Sequence, residues 1–205
     1  MLSQRHNRAG AVMAPGAGRE LPAEVMQAVK ESVLAVGVRR TTLTDVARRA
    51  GVSRMTLYRL VPDVETLLLQ VLTREFADLL AESEAGAVRR RTARARLVAS
   101  MTEVARRLPD EPLFRRVIDV DPELLVPYLT ARLGSTQRLA VHHVRRLVAE
   151  GQADGSIRRG DADVMAVSLL LTGMSWVVSA RLLDDVGRDA ALAELERGLD
   201  GWLKP

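Results

Sequence analysis

Residues 42–62, TLTDVARRAGVSRMTLYRLVP, decide the fold. Two short helical patterns flank Gly51-Val52-Ser53. The first runs from Leu43 to Ala50, with Leu43, Val46, Ala47 and Ala50 on one face. The second runs from Arg54 to Leu60, with Leu57 and Leu60 or Val61 facing inward. Gly51 suits a turn position with positive φ, where a Cβ would be strained. Thr42 and Ser53 each suit an N-cap, and Thr42-Leu43-Thr44-Asp45 reads as a capping box with Asp in place of Glu. Ala47 is small where two helices must cross closely. A short second helix with an inward Leu57 and outward Arg54, Met55, Thr56, Tyr58 and Arg59 has the form a groove-reading helix needs.

Charge is concentrated on the same segment. From Gly37 to Leu60 six arginines (Arg39, Arg40, Arg48, Arg49, Arg54, Arg59) stand against the single acid Asp45, a local +5. The whole chain carries +4, so the remainder is net −1. That placement is what phosphate neutralisation requires. Arginine content alone is weak evidence: of 30 basic residues only Lys30 and Lys204 are lysine, a skew that coding bias explains.

The chain has 205 residues, room for one large or two modest domains. Hydrophobic residues make up 47% and aromatics only 3%, so the expected core is aliphatic. There is no cysteine, which excludes disulfides, Cys-ligated zinc and thiol chemistry and suits a reducing cytoplasm. Residues 1–20 are Gly-, Ala- and Arg-rich without periodicity and read as a flexible basic arm, either a bystander or a DNA contact. They hold Arg5, His6, Arg8 and Arg19 but no apolar run of about 7–15 residues, so no secretory signal is expected. The stretch Val164–Ala180 is the most apolar, yet it falls short of the roughly 20 residues a transmembrane helix needs. The expected location is cytoplasmic.

The expected class is all-α. Pro22 to Val36 has Val25, Val29, Val33 and Val36 at helical spacing and Gly37 at its end. Pro62-Asp63 stops the reading helix and opens a long one carrying Val64, Leu67, Leu68, Val71, Leu72, Phe76, Leu79 and Leu80. Ala85 to Arg91 reads as the junction between residues 21–80 and a larger unit at 86–205. In that unit helices are expected at 92–108, 112–120, 122–133, 135–150 (stopped by Gly151), 161–183 and 189–203.

Catalytic and metal chemistry find no foothold. His142 and His143 are adjacent on a helix and diverge by about 100°. Asp119, Asp121 and Glu123 around Pro122 are explained by helix termination and N-capping. No Gly-rich phosphate loop, nucleophile elbow or HExxH motif occurs, so no enzyme, cofactor or metal is expected. Ser168, Thr172, Ser175 and Ser179 form a small-residue stripe that lets two helices approach closely. The last helix carries Leu192, Leu195, Leu199 and Trp202.

The pattern Thr42…Asp45-Val46-Ala47…Ala50-Gly51-Val52-Ser53…Thr56-Leu57-Tyr58…Pro62…Glu65…Leu67 resembles the DNA-binding head of the TetR family of bacterial transcription regulators. Residues 21–80 carry the resemblance; the remainder matches in length, helical content and the Gly151…Asp154-Gly155 turn. The family implies a three-helix DNA-binding head, a linking fourth helix, a helical regulatory domain and a homodimer on a palindromic operator. It also implies a repressor that leaves DNA when a small-molecule effector binds. Carried over by position, Tyr58, Ser53 and Thr56 would contact phosphate; Arg54, Met55 and Arg59 would face the groove; Thr42 and Thr44 would approach the backbone. The subunit interface would use Ser168, Thr172, Ser175, Trp176 and Ser179 on one helix and Leu195, Leu199 and Trp202 on the other. Met55 replaces the family's usual Gly, Val61 its aromatic plug and Val64 its Lys. No effector-binding residue is assigned. The competing reading is a small-molecule-binding or protein-interaction module with a vestigial head.

Overall fold

The computed structural model describes residues 21–205, so the expected arm at 1–20 lies outside the described residues. Among the described residues there are ten α-helices, three short 3-10 turns and no strand. The first four helices are α1 (Ala23–Val36), α2 (Leu43–Arg49), α3 (Arg54–Leu60) and α4 (Val64–Ala87). Then come α5 (Ala93–Arg107), α6 (Pro112–Val120), α7 (Val126–Thr130), α8 (Ser135–Ala153), α9 (Ala162–Val178) and α10 (Arg188–Leu203).

Local chemistry sets the helix starts. The hydroxyls of Thr42, Ser53 and Thr92 and the carboxylates of Asp63 and Asp161 accept backbone N–H groups from the first turns of α2, α3, α5, α4 and α9. Such caps contribute about 1 kcal/mol each. The end of α2 is a Schellman motif: Val52 N–H donates to the Ala47 carbonyl at 3.0 Å and Gly51 N–H to that of Arg48 at 3.4 Å. Gly51 sits at φ 67°, which explains glycine there.

Two apolar cores organise the chain. The first joins Val25, Val29 and Val33 of α1, Val46 and Ala47 of α2, Leu57 of α3 and Leu67, Leu68 and Val71 of α4. It is completed from far along the sequence by Leu113 and Val117 of α6, both fully buried. The second packs Leu97 and Val98 of α5, Leu147 and Val148 of α8, Ala166 and Leu169 of α9, and Leu192, Leu195, Leu199 and Leu203 of α10. The long α4 serves both halves. Its early residues enter the first core, and its later ones, Phe76 to Ala87, lie against α5 and α8.

Several expected elements differ. Residues 122–133 form a 3-10 turn at Pro122–Leu124 and the short α7, because Pro122 and Pro127 break the run. The apolar helix ends at Val178, and Ala180–Leu183 is a separate 3-10 turn. Gly151 does not stop α8, which continues to Ala153. Its bare Cα instead makes room for Ile157: a Cβ there would lie 2.5 Å from Ile157 Cγ1 and 3.0 Å from its Cβ. Leu195 and Leu199 are 5% and 4% exposed because they face the chain's own core, not an outer surface. No helix among the described residues is long and apolar enough to cross a membrane.

Gly151→Ala sets two effects against each other. Alanine favours helix by about 1 kcal/mol, whereas overpacking a filled core is unfavourable by about 1–3 kcal/mol. The clash involves the branched stem of Ile157, which cannot swing aside alone. The variant is expected to unfold at lower urea concentration than the wild-type chain. A raised midpoint would mean that the 151–157 turn yields freely.

Candidate functional site

The outer faces of α2 and α3 form one candidate surface. Leu57 and Val61 point inward and are buried, so Val61 fills the plug position with an aliphatic side chain. Arg54, Thr56 and Arg59 are exposed, as are Met55 at 64% and Tyr58 at 53%. Thr42 is exposed and Thr44 half-buried. Three of the proposed contact residues also hold the scaffold. Thr42 accepts Asp45 N–H at 3.1 Å and donates to the Asp45 carboxylate at 2.6 Å. Ser53 accepts Thr56 N–H at 3.0 Å, and its hydroxyl lies 2.9 Å from that of Thr56. Arg49, Arg54 and Arg59 have no acidic partner among the described residues, and Arg48 makes only a 3.8 Å pair with Asp45. Cations facing solvent without carboxylates leave a positive surface open to phosphate.

Arg39 departs from the linear charge count. It pairs with Glu123, with Asp121 at 3.6 Å from its Nε. Asp121 is 2% exposed and accepts the backbone N–H of Val38 at 3.0 Å. The expected capping role of Asp121 and Glu123 is therefore wrong: neither caps the following turn, and both tie the α1–α2 loop to the end of α6. Asp119 turns the other way and pairs with Arg181 at 2.5 Å.

A second candidate site lies inside the C-terminal half. A cavity of about 150 Å³ opens between α4 to α9. Its wall includes Phe76 and Leu80 of α4, Met101 of α5, Phe114 of α6 and Leu169 and Leu170 of α9. Ser100, Tyr128, Thr136, Gln137 and His143 are its polar members, and none of its lining residues is charged. Burial pushes the His143 imidazole below its ordinary pKa, overcoming the opposing pull of Glu84, so the ring is neutral at neutral pH. His143 occupies the inward stripe of α8 with Leu139 and Leu147, a position legible from spacing; the cavity beside it is not.

The expected interface residues divide. Thr172, Ser175 and Trp202 are exposed, while Ser168, Trp176 and Ser179 are half-buried. Around them α9 exposes Val164, Val167, Leu171 and Val178. Trp202 carries Arg158 over its ring at 4.4 Å. Leu195 and Leu199 take no part in this surface.

The fold and surface thus define an all-helical, two-core protein with a helix-turn-helix head and an internal apolar cavity. No protein-family model matches the chain. An uncharacterized HTH-type transcriptional regulator of Mycobacterium tuberculosis is 37% identical over 180 residues, 87% of this chain and 92% of that one. The TetR family repressor AlkX from Dietzia, implicated in biodegradation of n-alkanes, superposes with a TM-score of 0.66 at 20% identity over 91% of this chain and 97% of its own. The transcriptional regulator FadR from Bacillus subtilis, solved with stearoyl-CoA, gives 0.62 at 17% identity over 88% and 98%. The chain belongs to the HTH-type transcriptional regulators, and its fold is that of the TetR family repressor AlkX.

Asp121→Ala would leave the buried Val38 N–H without its acceptor, a loss of about 1–3 kcal/mol. Asp121→Asn keeps an acceptor oxygen and should lose less. Urea unfolding of the three chains checks the ranking, and equal midpoints would mean that water replaces the carboxylate.

Proposed function

We propose that this regulator is a homodimeric repressor that a small-molecule effector releases from a palindromic operator. The observation that carries the reading is the double use of α6. Leu113 and Val117 seat one of its faces in the head's core, while Phe114, about 100° around the helix, lines the cavity. A molecule filling the cavity presses on the element that holds α1, and Asp121 passes the movement to the α1–α2 loop through Val38. The shift is a redistribution between two head positions, one of which the effector binds better.

On DNA, α3 enters the major groove, with Arg54, Met55 and Arg59 toward base edges and Ser53, Thr56 and Tyr58 toward phosphate. Thr42 and Thr44 approach the backbone from α2. Met55, long where the family has Gly, reaches a thymine methyl. The second copy packs on α9, whose Val164, Val167, Leu171 and Val178 form an apolar strip beside Thr172 and Ser175. Gly198 and Gly201 on α10, where a Cβ would meet nothing within 4 Å, leave room for close approach. The two heads then read half-sites about 34–36 Å apart or a multiple of that.

Arg54→Ala is expected to lose about 1–3 kcal/mol of discrimination between operator and unrelated DNA. Tyr58→Phe should instead weaken binding to all sequences alike. Gel-shift titration against the chain's own upstream region and a scrambled fragment separates the two. Equal losses on both fragments for Arg54→Ala would refute its base-reading role, and no wild-type binding would favour a vestigial head. Leu171→Asp places a charge in the proposed interface and is expected to halve the mass measured by light scattering. An unchanged mass would move the interface elsewhere.

A further inference from the structure

One polar pair faces the cavity in an unequal state. His143, 6% exposed, places Nδ1 at 3.5 Å from the Glu84 carboxylate of α4 and Nε2 at 3.3 Å from the Ser100 hydroxyl of α5. A carboxylate only accepts, so the tautomer that suits this contact carries its proton on Nδ1 and leaves a lone pair on Nε2. The Ser100 hydroxyl also lies 3.1 Å from the Leu97 carbonyl. Its single proton faces two acceptors and satisfies one of them. The Leu97 carbonyl already accepts within α5, so the Ser100 proton can turn to either acceptor, and when it turns to Leu97 the Nε2 lone pair is open to a donor from the cavity. Each of the other polar wall groups has a partner. Thr136 meets Thr73 at 3.0 Å, Gln137 accepts Gly134 N–H at 3.1 Å, and the Tyr128 hydroxyl accepts from Arg132 at 3.4 Å.

Charge narrows the occupant further. No lining residue is a cation, and behind the imidazole the Glu84 carboxylate is paired with Arg146. A ligand carboxylate or phosphate would leave water for a wall that offers no counter-ion. The rest of the wall is aliphatic and aromatic carbon. A dry apolar cavity of about this volume holds a six-membered carbon ring, which sets a scale of roughly six to ten heavy atoms.

We propose that the cavity takes an uncharged medium-chain aliphatic alcohol, its hydroxyl donating to Nε2 of His143 and its chain lying against Phe76, Leu80, Phe114 and Leu170. The proposal rests on the effector reading above and names the class of effector. The hydroxyl is then one imidazole ring away from Glu84 on α4, the helix whose first turns sit in the head's core.

The test titrates the full chain by calorimetry with octanol, methyl octyl ether, octanoate and octanoyl-CoA. Octanol is expected to bind about tenfold more tightly than the ether, which accepts but cannot donate, and than either charged probe. In His143→Phe the preference for octanol over the ether should vanish. In Ser100→Ala it should persist, because the Nε2 lone pair then faces only the ligand. Equal affinity for alcohol and ether, tighter binding of octanoate or octanoyl-CoA, or no binding of octanol to the wild-type chain overturns the proposal whether or not a variant folds. A gel shift on upstream DNA separates this failure from that of the effector reading. Octanol bound with the expected ranking but without loss of the DNA complex supports the ligand class and refutes release. Release by a charged probe does the reverse.

Discussion

The head cannot close its core alone. Three helices of 14, 7 and 7 residues leave an apolar face that small units of this size do not bury by themselves. Two other elements finish it: the first turns of α4, with Leu67, Leu68 and Val71, and the face of α6 that carries Leu113 and Val117. Both elements also line the cavity, through Phe76 and Leu80 on α4 and Phe114 on α6. Head stability and cavity shape are therefore properties of the same two helices. A DNA-reading unit that borrows its core from helices that also wall a cavity is coupled to that cavity by construction.

The polar contacts at this junction follow the same logic. Lys30 of α1 meets Glu75 of α4 at 2.6 Å, and both are partly exposed, so the pair contributes little net energy. Asp121 is different because it is buried and accepts a backbone N–H that has no helical partner. Removing a surface pair costs almost nothing, whereas orphaning a buried amide costs the full desolvation of that group. The weight of the junction thus rests on apolar packing and on one carboxylate rather than on its visible ion pairs.

The head was legible because its signals are local. Thr42, Ser53, Gly51 and Asp63 act within a few residues of themselves, and the structure uses each at its cap or turn. The contacts of Asp121 and Glu123 with Val38 and Arg39 span 83 and 84 residues, and no spacing rule encodes them. The same distance explains the charge count: Arg39 belongs to the basic run in sequence but to Glu123 in space. The C-terminal half misled for another reason. A helix as uniformly apolar as α9 shows which residues avoid water but not whether its own chain or a second copy covers them. Leu195 and Leu199 had the right periodicity for an interface and proved to be core. Gly151 carried a stop signal whose purpose was the room it leaves for Ile157.

The cavity was the least legible feature, since its wall is drawn from six helices: Thr136, Gln137 and His143 share α8, but Ser100 and Tyr128 reach it from α5 and α7. Yet its chemistry follows from exclusion. With 28 arginines in the chain, the absence of any from the wall is a strong constraint on what the wall can hold. Arg146 lies one turn from His143 on α8 but is turned outward to Glu84 and Glu150, which neutralise it. Glu84 thereby holds both the outward arginine and the inward imidazole, and it does so from α4. In the proposed complex the imidazole stands between the ligand and Glu84, and Glu84 belongs to the helix that completes the head.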